Sequence, residues 1–149
     1  MRLEITRRAD LAVRAMVALG SGERRWKSGE LAAALDTTIG FVPQVIGPLV
    51  KSGWVRSDPG PTGGYASRVA LDELTVLDVI EAVDGPTESG RCVVEDKPCG
   101  GHPCALHDAW AHARDELTGA LRARSLASLA PLPSLPSLPP PDRAVVAGP

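Results

Sequence analysis

The fold turns on one stretch, Val42-Pro43-Gln44-Val45-Ile46-Gly47-Pro48-Leu49-Val50-Lys51-Ser52-Gly53-Trp54-Val55-Arg56-Ser57. Val42, Val45, Ile46, Leu49 and Val50 recur at three and four, which places them on one face of a helix. Lys51 suits the negative end of that helix, and Gly53 can take the left-handed position beyond it. Trp54 to Ser57 then changes to a β-type run. Asp58-Pro59-Gly60-Pro61-Thr62-Gly63-Gly64 forbids regular structure, and Tyr65 to Ala70 can return as a second strand. Just upstream, Ser28 can cap a short helix with Glu30 near its positive end and Leu31, Ala32 and Leu35 inward, until Asp36-Thr37-Thr38 interrupts it. Two short helices across a tight turn, followed by a hairpin with a glycine-rich tip, is the order of a winged helix-turn-helix. Taken without its neighbours the hairpin is equally a plain surface hairpin; its place directly after the helix pair favours the wing. Pro48 opposes a regular helix, since the lost donor costs about 3 kcal/mol in a helix interior, so a kink or short 3₁₀ stretch is expected there. Pro43 falls in the first turn, where proline is tolerated.

Outward from this centre, Ala9, Ala12, Val13, Met16 and Leu19 mark a helix from Thr6 to Leu19, stopped by Gly20-Ser21-Gly22. Downstream, Leu74, Leu77, Ile80 and Val83 mark a helix ended by Asp84-Gly85-Pro86, and residues 87 to 103 have no periodicity. A last helix is expected from near Cys104 to about Ala127, with Leu106, Ala109, Trp110, Ala113, Leu117, Ala120 and Leu121 on one stripe. At the end of a small chain it has little of its own to pack on, so a helix from a second copy is the economical partner; folding back over its own winged domain is the alternative. Seven of the 14 prolines lie between Pro131 and Pro149, which reads as an extended or disordered tail. The expected organisation is therefore a winged domain over 1–86, a cysteine-bearing loop over 87–103, a dimerisation helix over 104–128 and a Pro-rich disordered tail over 129–149.

Composition narrows the function. Only five of 149 residues are aromatic, so the core must be Leu, Val and Ala, which favours a mainly α fold and disfavours a base-stacking platform for single strands. The net charge of −2 conceals an asymmetry: residues 1–70 carry +4 and residues 71–149 carry −6. A basic N-terminal half is the modest footprint of a duplex-binding module, although ordinary surface charge would give the same sum. No apolar run is long enough for a membrane span and the first residues lack a signal peptide's apolar stretch, so a cytoplasmic protein without membrane attachment is expected. No acid–base pair or activated nucleophile is discernible, which argues against an enzyme.

All three cysteines fall in Cys92-Val-Val-Glu-Asp-Lys-Pro-Cys99-Gly-Gly-His-Pro-Cys104. Three clustered thiols are no disulfide framework, but soft sulfur ligands on a Gly/Pro-rich loop can converge on a metal. If a helix begins at Cys104, His107 shares its face, giving the set Cys92, Cys99, Cys104 and His107. Zinc could use these ligands, but its sites usually include a closer pair; the longer gaps suit a wider object such as an iron–sulfur cluster. A metal-free thiol switch needs electropositive surroundings, which Glu95 and Asp96 oppose. His102 and His112 lack the spacing of His107 and read as solvated.

The chain resembles the IscR and NsrR family of bacterial winged-helix regulators that carry iron–sulfur clusters. The likeness covers residues 1 to about 128 and rests on Ala9-Asp10-Leu11-Ala12-Val13-Arg14-Ala15-Met16, on Gly60-Pro61-Thr62-Gly63-Gly64-Tyr65, on the run from Leu74 to Pro86, and on Cys104-Ala105-Leu106-His107-Asp108-Ala109-Trp110. The resemblance implies a homodimer joined by its last helices, in which cluster state alters affinity for promoter DNA. One branch holds a [2Fe–2S] cluster with three Cys and a His at the position of His107, the expectation here. Another holds a [4Fe–4S] cluster with an Asp of the other subunit at the position of Asp10, a residue that otherwise serves as a charge near a helix N-terminus. The cysteine gaps depart from the family's usual five and five, and Pro43 and Pro59 stand where the family often has polar or charged residues.

The expectation is thus a dimeric, DNA-binding transcriptional regulator, acting as a repressor and sensing iron–sulfur status, redox state or nitric oxide. Gln44 and Thr38 would lie at the major groove, Lys51 and Arg56 on phosphates, and Thr62, Gly63, Gly64 and Tyr65 in the wing. The rival is a zinc- or thiol-based sensor acting through a protein partner without specific DNA binding.

Overall fold

In the computed structural model, residues 4–87, 90–94, 97–99 and 102–129 are described. The expected Pro-rich disordered tail lies, beyond Leu129, outside the described residues. The helices are α1 (Arg7–Gly20), α2 (Ser28–Ala34), α3 (Val42–Lys51), α4 (Val76–Asp84) and α5 (His107–Arg122), with strands β1 (Val55–Asp58) and β2 (Gly64–Ser67) between α3 and α4 and a 3₁₀ turn at Leu126–Leu129. The architecture of the described residues is the expected one, mainly helical with one hairpin.

Helix α1 starts where Thr6 caps it, its hydroxyl accepting from the Ala9 N–H at 3.1 Å. Its buried face carries Leu11, Met16 and Leu19, which meet Leu31 and Leu35 of the α2 end and Ile46 and Leu49 of α3. As the scarcity of rings requires, this core is aliphatic; Trp26, Phe41, Trp54 and Tyr65 sit half-buried at its margin. Between α2 and α3 the chain reverses at Asp36, whose φ of 50° is a left-handed position that a short polar side chain tolerates. Helix α4 opens with a capping box: the Thr75 hydroxyl accepts from the Asp78 N–H and the Asp78 carboxylate accepts from the Thr75 N–H at 2.8 Å.

Strand β1 pairs antiparallel with β2, Val55 opposite Ser67 and Asp58 opposite Gly64. The hairpin is tied to the α1–α2 connection by reciprocal backbone bonds of 2.8 Å between Trp26 and Tyr65. The strands therefore sit one residue later and one residue earlier at their starts than the sequence pattern indicates.

Three further differences have physical causes. Helix α3 runs as α-helix through Pro48, with no 3₁₀ stretch. Gly47 has no Cβ to clash with the proline ring, and the Gln44 carbonyl left without a donor belongs to an exposed residue. Helix α2 is capped by Lys27 and not Ser28: the Lys27 N–H donates to the Glu30 carboxylate at 2.8 Å. The last helix spans 107–122 instead of about 104–127. Beyond Arg122 the chain returns to the winged domain, where Val76 N–H donates to Arg124 C=O and Leu126 N–H to Leu74 C=O, both at 2.9 Å. Leu126 is fully buried in the main core. The end of the predicted dimerisation segment thus does fold back, while α5 itself has no buried residue.

Candidate metal centre and nucleic-acid interface

The loop after α4 brings the three cysteines together. Their Sγ atoms all lie within 4.8 Å of one another, and Cys92 Sγ is 3.4 Å from Cys104 Sγ with no disulfide formed. Local backbone bonding makes this possible. The Cys92 N–H donates to the Lys97 carbonyl at 2.8 Å, closing a turn, and the Val94 N–H points at the Cys92 sulfur at 3.4 Å. Cys104 lies three residues before the first residue of α5, and its carbonyl accepts from the His107 N–H at 3.0 Å across the turn that leads into the helix. Cys92 is buried; Cys99 and Cys104 are half-buried.

The three sulfurs open on a pocket of about 220 Å³ whose wall includes His107, Trp110 and Arg114 from successive turns of α5. His107 therefore borders the thiol group, though its ring is not among the atoms that lie within 4.8 Å of one another. Asp10 is exposed in the first turn of α1, 3.8 Å from Arg14, away from this pocket. The thiol of Cys99 is held above its ordinary value: a backbone hydrogen bond from Cys104 lowers it, but the Cys92 and Cys104 thiols and burial together raise it further. Crowded sulfurs of this kind resist ionising side by side unless a cation shares them, so the donor set fits a thiolate-bound metal or cluster.

The other expected residues fall around α3 and the hairpin. Thr38 lies in the turn before α3, and Gln44 and Lys51 lie on its exposed side. Arg56 projects from β1, its Nε 2.8 Å from Asp58, which also meets Arg25 at 2.9 Å. Thr62 is exposed at the hairpin tip, whereas Gly63 is buried: a Cβ there would stand 2.0 Å from the Asp58 carbonyl. Gly64 has φ +144° and would press a Cβ to 2.6 Å from the Trp26 carbonyl. Tyr65 is half-buried opposite Ser57. Sequence reasoning missed Lys27. Its ammonium donates to the carbonyls of Pro61 and, at 2.6 Å, Gly63, pinning the tip from 34 residues away. No local pattern signals that contact.

A two-helix unit with a pinned wing, in one chain with a convergent thiol group, is the architecture of winged-helix transcriptional regulators. The Rrf2 family, described as an iron-dependent transcriptional regulator, matches residues 5–131. The HTH-type transcriptional regulator IscR of Photorhabdus laumondii is 33% identical over 126 residues, covering 83% of this chain and 77% of the relative. The putative HTH-type transcriptional regulator Rv1287 of Mycobacterium tuberculosis is 32% identical over 128 residues, 84% of this chain and 80% of its own. This chain belongs to the Rrf2 family. Of solved structures, CymR, the global cysteine regulator of B. subtilis, matches the fold with a TM-score of 0.72 at 24% identity, covering 87% of this chain and 97% of CymR. IscR of T. potens matches with a TM-score of 0.67 at 21% identity, covering 85% of each. These relatives are transcriptional regulators, not enzymes.

Proposed function

We propose that this regulator binds promoter DNA as a homodimer and represses by occupying it, with its affinity set by an iron–sulfur cluster on Cys92, Cys99, Cys104 and His107. The observation that carries the reading is the convergence of three sulfurs at the mouth of a pocket whose far wall is the helix that holds His107. Three thiolates and one imidazole favour the [2Fe–2S] type; a [4Fe–4S] cluster with the partner's carboxylate at the position of Asp10 is the alternative. When bound, such a cluster supplies a redox-active, oxygen- and nitric-oxide-labile centre. Cys92 and Cys99 draw the loop towards Cys104, and Cys104 and His107 fix it to the start of α5.

DNA recognition falls to residues 1–86. Thr38 and Gln44 meet base edges in the major groove, Lys51 and Arg56 meet phosphates, and the Thr62–Tyr65 wing lies along the backbone or minor groove. Residues 87–103 form the sensor loop. Residues 104–128 hold the copies together through α5, where Leu117, with Leu106 just before the helix, is left exposed within one chain. Among the described residues no helix is long and apolar enough to cross a membrane, which supports placing the protein in the cytoplasm.

The experiment is an anaerobic purification with iron and sulfide counts and visible spectroscopy, followed by salt-resolved mobility shifts of holo, apo and Cys99→Ala protein. Coloured protein, and a holo affinity different from that of the other two, is expected. Colourless protein with stoichiometric zinc would replace the cluster reading, and no shift in any form would end the DNA reading in favour of a protein-partner sensor.

A further inference from the structure

The bases a recognition helix selects follow from the groups it carries at its N-terminal end, where base edges are reached. From Thr37 to Val50 the chain contains no Lys, Arg, Asp or Glu. The exposed side chains at the start of α3 and in the turn before it are Thr38, Ile39, Pro43 and Gln44. Ile39 is 61% exposed although Val42 and Val45, a few residues on, are fully buried, so the core has no use for it. Beyond Pro43 the apolar strip continues into a cleft of about 250 Å³ between α3 and the hairpin, lined by Pro43, Ile46, Gly47, Val50, Ser57 and Tyr65.

Guanine is most often taken by a bidentate Arg or Lys, and cytosine by a carboxylate accepting from its amino group. Residues 37–50 carry neither group; Asp36 and Arg7 stand at the start of the turn, where the Arg7 guanidinium is held by the Asp36 carbonyl at 3.2 Å. What is available is the amide of Gln44, which matches the N6 and N7 edge of adenine, and aliphatic surface, which matches the C5-methyl of thymine. The charge is arranged around this patch and not on it: Lys51 lies at the far end of α3 and Arg56 on β1, in the half of the chain that carries +4. That distribution suits a duplex whose phosphates flank the protein while an apolar strip faces the groove floor.

We infer that Ile39 and Pro43 read thymine methyl groups, so that the core of each half-site consists of A·T pairs. This rests on the DNA-binding reading above and gives it a target chemistry. The test uses full-length protein, holo and apo, to select sites from a random duplex pool, and then replaces each selected thymine with deoxyuridine, which removes the methyl and keeps every hydrogen bond. An A·T core is expected, with at least one position per half-site at which deoxyuridine weakens binding about fourfold, the worth of one buried carbon. Ile39→Ala, at an exposed position that leaves the core intact, should abolish the thymine–uracil difference at one position and keep adenine selection by Gln44. A selected core of G·C pairs, or deoxyuridine tolerated throughout, overturns the inference while leaving the regulator reading standing. Failure to select any duplex removes both.

Discussion

His107 and Asp10 compete for one role, and their settings differ. His107 is the first residue of α5 and borders the same pocket as the three sulfurs, whereas Asp10 lies on α1 beside Arg14. If His107 completes the set, His107→Ala should shift the visible spectrum of the holo protein and hasten loss of iron in air, and Asp10→Ala should leave both unchanged. The reverse pattern, with a loss of sulfide and iron in Asp10→Ala protein, would assign the fourth ligand to the second copy and favour the four-iron type. The cysteine group was legible in the sequence because three thiols within thirteen residues of Gly/Pro-rich loop can converge on one centre. Lys27 was not, because its contacts with the carbonyls of Pro61 and Gly63 exist only after the hairpin has folded beside α2.

At the scale of elements, the wing is a device of exclusion and of anchoring. Gly63 packs where any side chain would strike the Asp58 backbone, and Lys27 clamps the carbonyls on either side of Thr62. Gly63→Ala is therefore expected to distort the tip and Lys27→Met to release it. Each should weaken DNA binding while iron content and helical signal stay at wild-type levels, which circular dichroism and iron counts on the same samples would check; equal loss of iron would mean that the wing and the sensor loop are not separable units. Helix periodicity located the helices, since α3 and α4 each bury one stripe, and α1, between them, buries that stripe and most of its remaining faces as well. Their ends were less legible. The stripe of the last helix runs on past Arg122, but the chain breaks there to bond the backbone of Thr75's neighbours and seat Leu126 in the core, a long-range contact that no local signal announces. Of the kink or 3₁₀ stretch expected at Pro48, the 3₁₀ stretch is absent, because the residue before it is the one residue type that leaves the ring room.

At the scale of the whole molecule, two observations bear on how the proposed sensor loop would act on the proposed DNA surface. The first is that no residue of α5 is fully buried within one chain: Leu121 packs at the margin of the core, but Leu117 is 46% exposed. Leu117→Glu should therefore give a monomer by sedimentation, and a large loss of affinity for a two-half-site duplex, because matched half-sites no longer bind together. The second is that the end of α4, from which the sensor loop departs, is held to the start of α1. Thr6 Oγ1 donates to the Asp84 carboxylate at 2.9 Å, and Arg8 donates to the Val83 carbonyl at 2.5 Å and lies 3.7 Å from Asp84. Helix α1 in turn packs on α3, so a change of strain at the base of the loop has a short, bonded route to the recognition helix. The partly exposed Arg8–Asp84 pair contributes little to stability, which makes it a suitable place to cut the route without unfolding the domain. Arg8→Met is expected to keep its cluster, its dimeric state and its ability to bind DNA, yet to bring the holo and apo affinities closer together than in the wild type. Coupling between two sites is a ratio of affinities, and only that ratio reports on it. Holo and apo titrations of both proteins at one salt concentration measure it; an unchanged ratio in Arg8→Met would move the coupling to α5 and the dimer geometry alone.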